Sequence, residues 1–230
     1  MGLHPYNNEH ALANVCYIQE EHPFGWLWTV DDTLRFGHHF NPNWNWNTAE
    51  KLLDAFQLDR KMRVMKLSKG MRTGLQYIIG LASHAAITIF DEPINGLDAA
   101  MRKTLYDTLL ENHADHPRLI LISSHHIEEF QTLFEGLIVL KNGRVLIHEP
   151  MDRVRQRGFW VSGLKDRVES AILGRTVLER KEIGPMLKAM VDLPLANECE
   201  GGEQMMGLCV EKAKTQDVLL SITCDKEVMV

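Results

Sequence analysis

The sequence is poor in cysteine, has no long apolar run and carries no excess of positive charge. Its four cysteines form no CxxC pair and no zinc-type spacing, so we expect reduced cysteines in a cytosolic protein. Apolar runs such as 119–122 and 137–140 are far shorter than the about 20 residues of a membrane-spanning helix. The net charge of −6 argues against a dedicated nucleic-acid binder.

The first residues hold no basic region followed by an apolar stretch, so we expect no signal peptide. If the protein works at a membrane, a partner would have to hold it there. With 230 residues, 45% of them apolar, the chain can form one large domain or one domain with a small appendage.

Apolar strands alternate with amphipathic helices, which predicts an α/β fold with a parallel sheet. The strands are expected at 15–18, 86–90 and 118–123, and residues 137–147 predict a hairpin that turns at Asn142-Gly143. Helices are predicted after Thr29, after Asn47 or Thr48, from Ser68, over 97–112 with Leu105, Leu109 and Leu110 inward, and around 127–133. The predicted domains are 1–157, with a helical subdomain at about 29–82, and a small α/β appendage at 158–230.

Two adjacent carboxylates follow the predicted strand at 86–90. At the carboxyl edge of a parallel sheet, Asp91 is placed to hold Mg²⁺, directly or through water. Glu92 is placed to orient and polarise an attacking water. An ordinary acidic turn is the alternative, but the sequence 95–98, Asn-Gly-Leu-Asp, follows at once and favours a functional site.

Two further segments carry candidate chemistry. Ser68 and Gly70 at a helix start form an anion site, with a plain helix N-cap as the alternative. His125, after the strand at 118–123, can donate a hydrogen bond to a phosphate or to water. A surface histidine and a metal cluster of the His-His and Glu-Glu pairs are its alternatives, although no three ligands show a metal-site spacing.

In this order, the motifs resemble the nucleotide-binding subunit of ATP-binding cassette (ABC) transporters over residues 11–150. Five segments match motifs of that family. The signature motif corresponds to residues 67–71, the Walker B strand to 87–93, the D-loop to 96–98, the switch histidine to 124–125 and the Q-loop to 17–20. The resemblance implies ATP and Mg²⁺ as cofactors and an ATP-hydrolysing enzyme. It implies that Glu92 and His125 are catalytic, that Asp91 binds the metal, and that Gln19, Glu20, Ser68, Lys69, Gly70 and Asp98 bind the nucleotide.

The sequence departs from the family pattern in three places. Lys69 stands where the commonest signature has glycine, and alignment from Tyr17 puts Glu20, not Gln19, at the usual glutamine position of the Q-loop. The family's phosphate-binding loop, GxxxxGK[ST], is expected upstream of the Q-loop and is not found in these residues. The resemblance therefore implies an incomplete RecA-like P-loop NTPase core with a helical signature subdomain.

The resemblance also implies partners. These are a second ABC ATPase subunit, in a homo- or heterodimer, and a separate integral membrane permease that places the chain at the cytoplasmic face of the cell membrane. The Lys-Gly-Met signature and the trailing residues resemble exporter subunits. A non-catalytic regulatory or structural cassette that dimerises with a complete ATPase is the alternative. Trp26 and Trp44 are candidate anchors for the permease, with ordinary packing as their alternative.

Overall fold

The computed structural model describes residues 6–20, 24–25, 27–192 and 207–223. The chain divides into two compact units, Met1–His125 and His126–Val230. The domain boundary near residue 157 stays a prediction.

The first unit contains a three-stranded parallel sheet in the order β1-β2-β3. Its register places Ile18 opposite Phe90, and Asp91 opposite Ser123. The predicted parallel α/β sheet is thus confirmed. Its strands are β1 (Val15–Ile18), β2 (Ile87–Asp91) and β3 (Leu119–Ser123), and its helices are α1 (Glu9–Leu12), α2 (Val30–Phe40), α3 (Trp46–Ala55), α4 (Lys69–Ala82) and α5 (Ala99–Asp115).

The helix starts follow from their capping residues. Thr29 caps α2 in a capping box, in which its hydroxyl accepts from Asp32 N and the Asp32 carboxylate accepts from Thr29 N. The predicted cap of α3, Asn47 or Thr48, was wrong by two or three residues, because Asn45 is the cap and accepts from Thr48 N at 2.9 Å. An Asn at this position satisfies an otherwise unpaired backbone donor.

Helix α4 is buried along nearly its whole length, from Gly70 to Ala82. Its glycines permit this close packing. A methyl group at Gly80 would lie 2.4 Å from Phe90 Cε1 and 3.1 Å from Ile18 Cγ1. The helix backbone at Gly80 therefore packs directly against the side chains of Phe90 on β2 and Ile18 on β1.

Helix α5 begins at Ala99 because the Asp98 side chain accepts from Met101 N at 2.8 Å. Leu105 and Leu109 are buried, as predicted, whereas Leu110 is 49% exposed and its predicted inward position was wrong. Successive residues of an α-helix point about 100° apart, so Leu109 faces the core while Leu110 faces solvent.

In the second unit, α6 (Ile127–Phe130) is shorter than the predicted helix, and β4 (Gly136–Lys141) and β5 (Arg144–Pro150) form the predicted hairpin. Its turn has positive φ at Asn142 (50°) and Gly143 (72°), which this pair of residues tolerates best. Helix α7 (Met151–Gln156) follows.

The rest of the second unit is an antiparallel sheet in the order β7-β8-β6-β9. Helix α8 packs against one face through Val168 and Ile172. Leu219 of α9 packs in a cluster with Ile147 and Met151. None of the helices in the described part of the chain is long and apolar enough to cross a membrane. The elements are β6 (Phe159–Leu164), α8 (Lys165–Ile172), β7 (Val177–Ile183), β8 (Met186–Val191), β9 (Leu208–Lys212) and α9 (Thr215–Thr223).

The contact between α4 and Phe90 gives a prediction for stability. In an open helix, Gly80→Ala would stabilise by about 1 kcal/mol. Here the methyl group has no space, so we expect a loss of about 2 kcal/mol of unfolding free energy, measured in urea. Gly136→Ala is the control, because its methyl group meets only Glu149 O at 3.7 Å. A Gly80→Ala protein as stable as the parent would show that α4 is not held so closely.

Candidate functional site

Asp91 lies at the carboxyl end of β2 between hydroxyl groups from both neighbouring strands. Its Oδ1 accepts from Ser123 Oγ of β3 at 2.5 Å, and its Oδ2 accepts from the Tyr17 hydroxyl of β1 at 3.3 Å. The parallel register accounts for this, because strand ends of the same direction meet at one edge of the sheet.

Glu92 follows in a backbone conformation that is unusual for a residue with a side chain, with φ of 47°. Its N–H donates to the carbonyl oxygen and to Oγ of Ser123, both at 3.2 Å. Its Oε1 accepts from His125 N at 3.1 Å and lies 2.8 Å from His125 Nδ1. The structure therefore brings the two predicted catalytic residues into contact.

The second carboxylate oxygen of Glu92 is buried and has no hydrogen-bond partner among the described residues. Glu92 borders a cleft that encloses about 10 Å³, which is close to the space that one water molecule needs. The enclosed space therefore suits a single water molecule. The other polar residues that line the cleft are Gln19, Glu20, Thr73, Gln76, Asp91 and Asn95.

The Q-loop candidates Gln19 and Glu20 both reach this cleft. Their carbonyl oxygens accept from Gln76 Nε2 of α4, each at 3.3 Å. The Glu20 carboxylate accepts from Asn95 Nδ2 at 3.0 Å. Both residues are exposed, so the loop is anchored through its backbone while its side chains remain accessible.

The signature candidates lie at the start of α4. Ser68 is its N-cap and accepts from Met71 N at 3.2 Å, so the capping interpretation holds and the hydroxyl hydrogen stays able to donate. Ser68 and Lys69 are exposed, whereas Gly70 is buried, and a methyl group there would lie 3.1 Å from Gly96 O. The loop after Glu92 therefore packs against the first turn of α4.

Asp98 occupies the N-cap of α5, as described above. This capping role accounts for the residue locally, and nucleotide binding by Asp98 stays a prediction.

The oxygen atoms at Asp91 are the kind of ligand that a hard cation such as Mg²⁺ prefers. Asp91 is partly exposed and has a carboxylate beside two hydroxyl groups. Over the described ranges, no three His, Cys, Asp or Glu side chains come together as a metal site. A Mg²⁺ ion held by Asp91 would therefore take other ligands from phosphate and water, as this ion commonly does.

Four residues at the site went unrecognised as contacts from sequence: Tyr17, Gln76, Asn95 and Ser123. Ser123 could have been found, because it ends β3 at the position where Asp91 ends β2. Gln76 carried a signal too, since a glutamine in a buried helical face needs hydrogen-bond partners. The other two depend on tertiary contacts that no pattern shows.

Trp44 is only 9% exposed and packs against Gly37, where an added methyl group would come within 2.8 Å of its ring. The structure thus favours packing over docking for Trp44, while Trp26 lies outside the described residues. On α2, the side chains of Phe36 and Phe40 are 42% and 62% exposed, with ring centroids 4.6 Å apart.

The contact between Asp91 and Tyr17 can be tested by titration. Desolvation raises the pKa of Tyr17, and the charge and hydrogen bond of Asp91 raise it further. The negative carboxylate opposes loss of the phenol proton, so Asp91→Asn should lower the Tyr17 pKa. The measurement is an NMR titration of the Tyr17 ring carbons, with Asp98→Asn as the control that leaves it unchanged. An unaltered Tyr17 midpoint in Asp91→Asn would show that the two groups are apart.

No family model matches the chain. The ABC transporter ATP-binding protein YtrB of Bacillus subtilis (strain 168) is 21% identical over 155 residues, which cover 67% of this chain and 53% of that protein. The glucosylceramide transporter ABCA12 of Mus musculus is 29% identical over 143 residues, which cover 60% of this chain and 5% of that protein. The chain thus spans about half the length of the first relative and a small part of the second.

Solved structures show the same fold. The ATP-binding subunit of an ABC transporter has a TM-score of 0.57 at 24% identity, covering 64% of this chain and 62% of its own. A cobalt transport ATP-binding protein, cbiO-2, has a TM-score of 0.54 at 18% identity, covering 80% and 66%. The α/β fold with its parallel sheet is that of ABC ATPase subunits. In sequence, the chain is similar to ABC transporter ATP-binding proteins, and the order of its motifs resembles theirs.

Proposed function

We propose that this chain is an ATP-binding and ATP-hydrolysing subunit of an ABC exporter, which couples hydrolysis to transport by a separate membrane subunit. The contact between Glu92 and His125, beside Asp91 at the sheet edge, carries this proposal. The similarity to ABC ATP-binding proteins supports it.

Glu92 is the group that orients and polarises the attacking water. Two donors from His125, its backbone N–H and its ring, hold Oε1. Oε2 is left as the oxygen that can accept from a water. The His125 side chain is 63% exposed, so a phosphate can approach its ring.

Asp91 is the proposed ligand of Mg²⁺, which when bound neutralises charge that develops on the phosphates. Ser123 supports this carboxylate with a short hydrogen bond and also binds Glu92 N. One hydroxyl thus fixes the spacing of the metal ligand and the proposed base.

The start of α4 is the proposed anion site for a phosphate. A 14-residue helix directs its free N–H groups and positive dipole end outward at Ser68. By resemblance, this site serves the ATP held by a second ABC ATPase subunit, in a homo- or heterodimer. Gln19, Glu20, Lys69, Gly70 and Asp98 are the remaining proposed nucleotide contacts.

The proposed membrane partner is an integral permease, which would hold the chain at the cytoplasmic face of the membrane. Phe36 and Phe40 form an exposed aromatic ridge on α2, on a different face from the buried residues Val30 and Leu34. Exposed aromatic side chains commonly anchor protein interfaces, so we assign this ridge to the permease.

The first functional prediction concerns Glu92. In the assembled complex, with a phosphate-binding loop present, Glu92→Gln should preserve ATP binding and reduce turnover at its site by about 10²–10⁴-fold, because the base is lost while the shape is kept. Steady-state ATPase activity and nucleotide retention are the measurements.

Glu111→Gln, an exposed carboxylate on α5, is the matched control and should not change turnover. Equal ATPase rates in Glu92→Gln and the parent would contradict the assigned role. That result would favour the non-catalytic cassette, which only completes the site of another subunit.

The second functional prediction concerns the aromatic ridge. Phe40→Ser should weaken co-purification of the permease at least about fivefold, because an aromatic side chain that anchors an interface contributes over about 1 kcal/mol. Its unfolding free energy should change little, since the ring is already 62% exposed. Leu110→Ser, exposed on α5, serves as the control. Full recovery of the permease with Phe40→Ser would refute the assignment.

A further inference from the structure

Gln76 is a polar side chain in the buried face of α4, only 7% exposed. A buried amide needs hydrogen-bond partners, and Gln76 finds two. Its Nε2 lies 3.3 Å from the carbonyl oxygens of both Gln19 and Glu20. The side chain therefore ties α4 to the loop that follows β1.

The same loop is tied to the segment after Glu92. Asn95 Nδ2 donates to the Glu20 carboxylate at 3.0 Å, and Asn95 N donates to Glu92 O at 3.1 Å. The chain of contacts returns to α4, because Thr73 Oγ1 lies 3.3 Å from Asn95 O. We call this closed set of contacts, made by Thr73, Gln76, Glu20 and Asn95, the polar ring.

The polar ring joins the two ends of the proposed site. One side of it lies beside Glu92 and the small cleft. The other side lies on α4, whose N-cap Ser68 is about 12 Å from Gln76 along the helix axis. A buried helix moves as a unit, so the position of loop 19–20 and the position of the Ser68 hydroxyl depend on each other.

We propose that Gln76 is a positioning residue that couples loop 19–20, next to Glu92, to the phosphate-binding start of α4. The inference rests on the proposed ATPase function and adds a residue that none of the recognised motifs contains. Gln76 touches no reacting atom itself. Its two hydrogen bonds hold the loop at a fixed distance from the helix.

The first test measures amide hydrogen exchange by mass spectrometry on the full chain. Gln76→Met keeps the shape but removes the donor, whereas Gln76→His keeps one donor at similar reach. In Gln76→Met, exchange should rise about fivefold in segments 17–20 and 92–98, as expected for a lost net hydrogen bond. Gln76→His should restore at least half of the protection, and Gln57→Met, an exposed glutamine, should change nothing.

Two results of that measurement overturn the inference. One is unchanged exchange in both segments of Gln76→Met. The other is an equal rise across the whole first unit, which would mean that Gln76 only contributes to overall stability.

The second test uses ATP turnover of the assembled complex. Gln76→Met should lower kcat about fivefold with the KM for ATP changed less than about twofold, because the site is misaligned while nucleotide binding persists. Gln76→His should recover kcat. Unaltered kcat in Gln76→Met contradicts the coupling. Turnover in the parent that does not depend on Glu92 would instead contradict the proposed function, and the exchange measurement would then decide the role of Gln76.

Discussion

Helix α4 lies so close to β2 that Gly80 leaves no space for a methyl group against Phe90. This contact determines where the rest of the helix can lie. It places Gln76 within reach of loop 19–20 and Thr73 within reach of Asn95. Interiors packed at this density transmit displacement instead of absorbing it, so the helix start and the end of β2 keep a fixed spacing.

Glu92 is held in a conformation that costs folding free energy. Its φ of 47° is worth about 1–3 kcal/mol of strain for a residue with a side chain, and its buried Oε2 adds the cost of an unpaired polar atom. The N–H bonds to Ser123 and the Asn95 N–H on its carbonyl keep the turn in place. A local arrangement that stability alone would not favour is typical of a functional site.

The sequence reveals the parts of this fold that depend on local rules. The Ser68 cap, the apolar run at 87–90 and the Asn142-Gly143 turn are set by neighbouring residues, and the structure has all three. The start of α3 was misjudged because Asn45, Asn47 and Thr48 are all good caps and only packing selects among them. The contacts of Gln76 and of Asp91 join residues more than 30 positions apart, which no periodicity encodes.

Lys69 shows how a departure from the commonest signature can fit the same site. Gly96 has φ of 82°, and a methyl group on it would lie 2.7 Å from Lys69 Cδ. The aliphatic stem of Lys69 therefore packs against the Gly96 backbone, which has no side chain of its own. A larger residue at position 96 would collide with this stem. The ammonium group remains exposed, as is usual for lysine. A positive charge in the first turn slightly disfavours the isolated helix but strengthens attraction for an anion at Ser68. In the proposed anion site, lysine at this position would exchange a little helix stability for phosphate affinity.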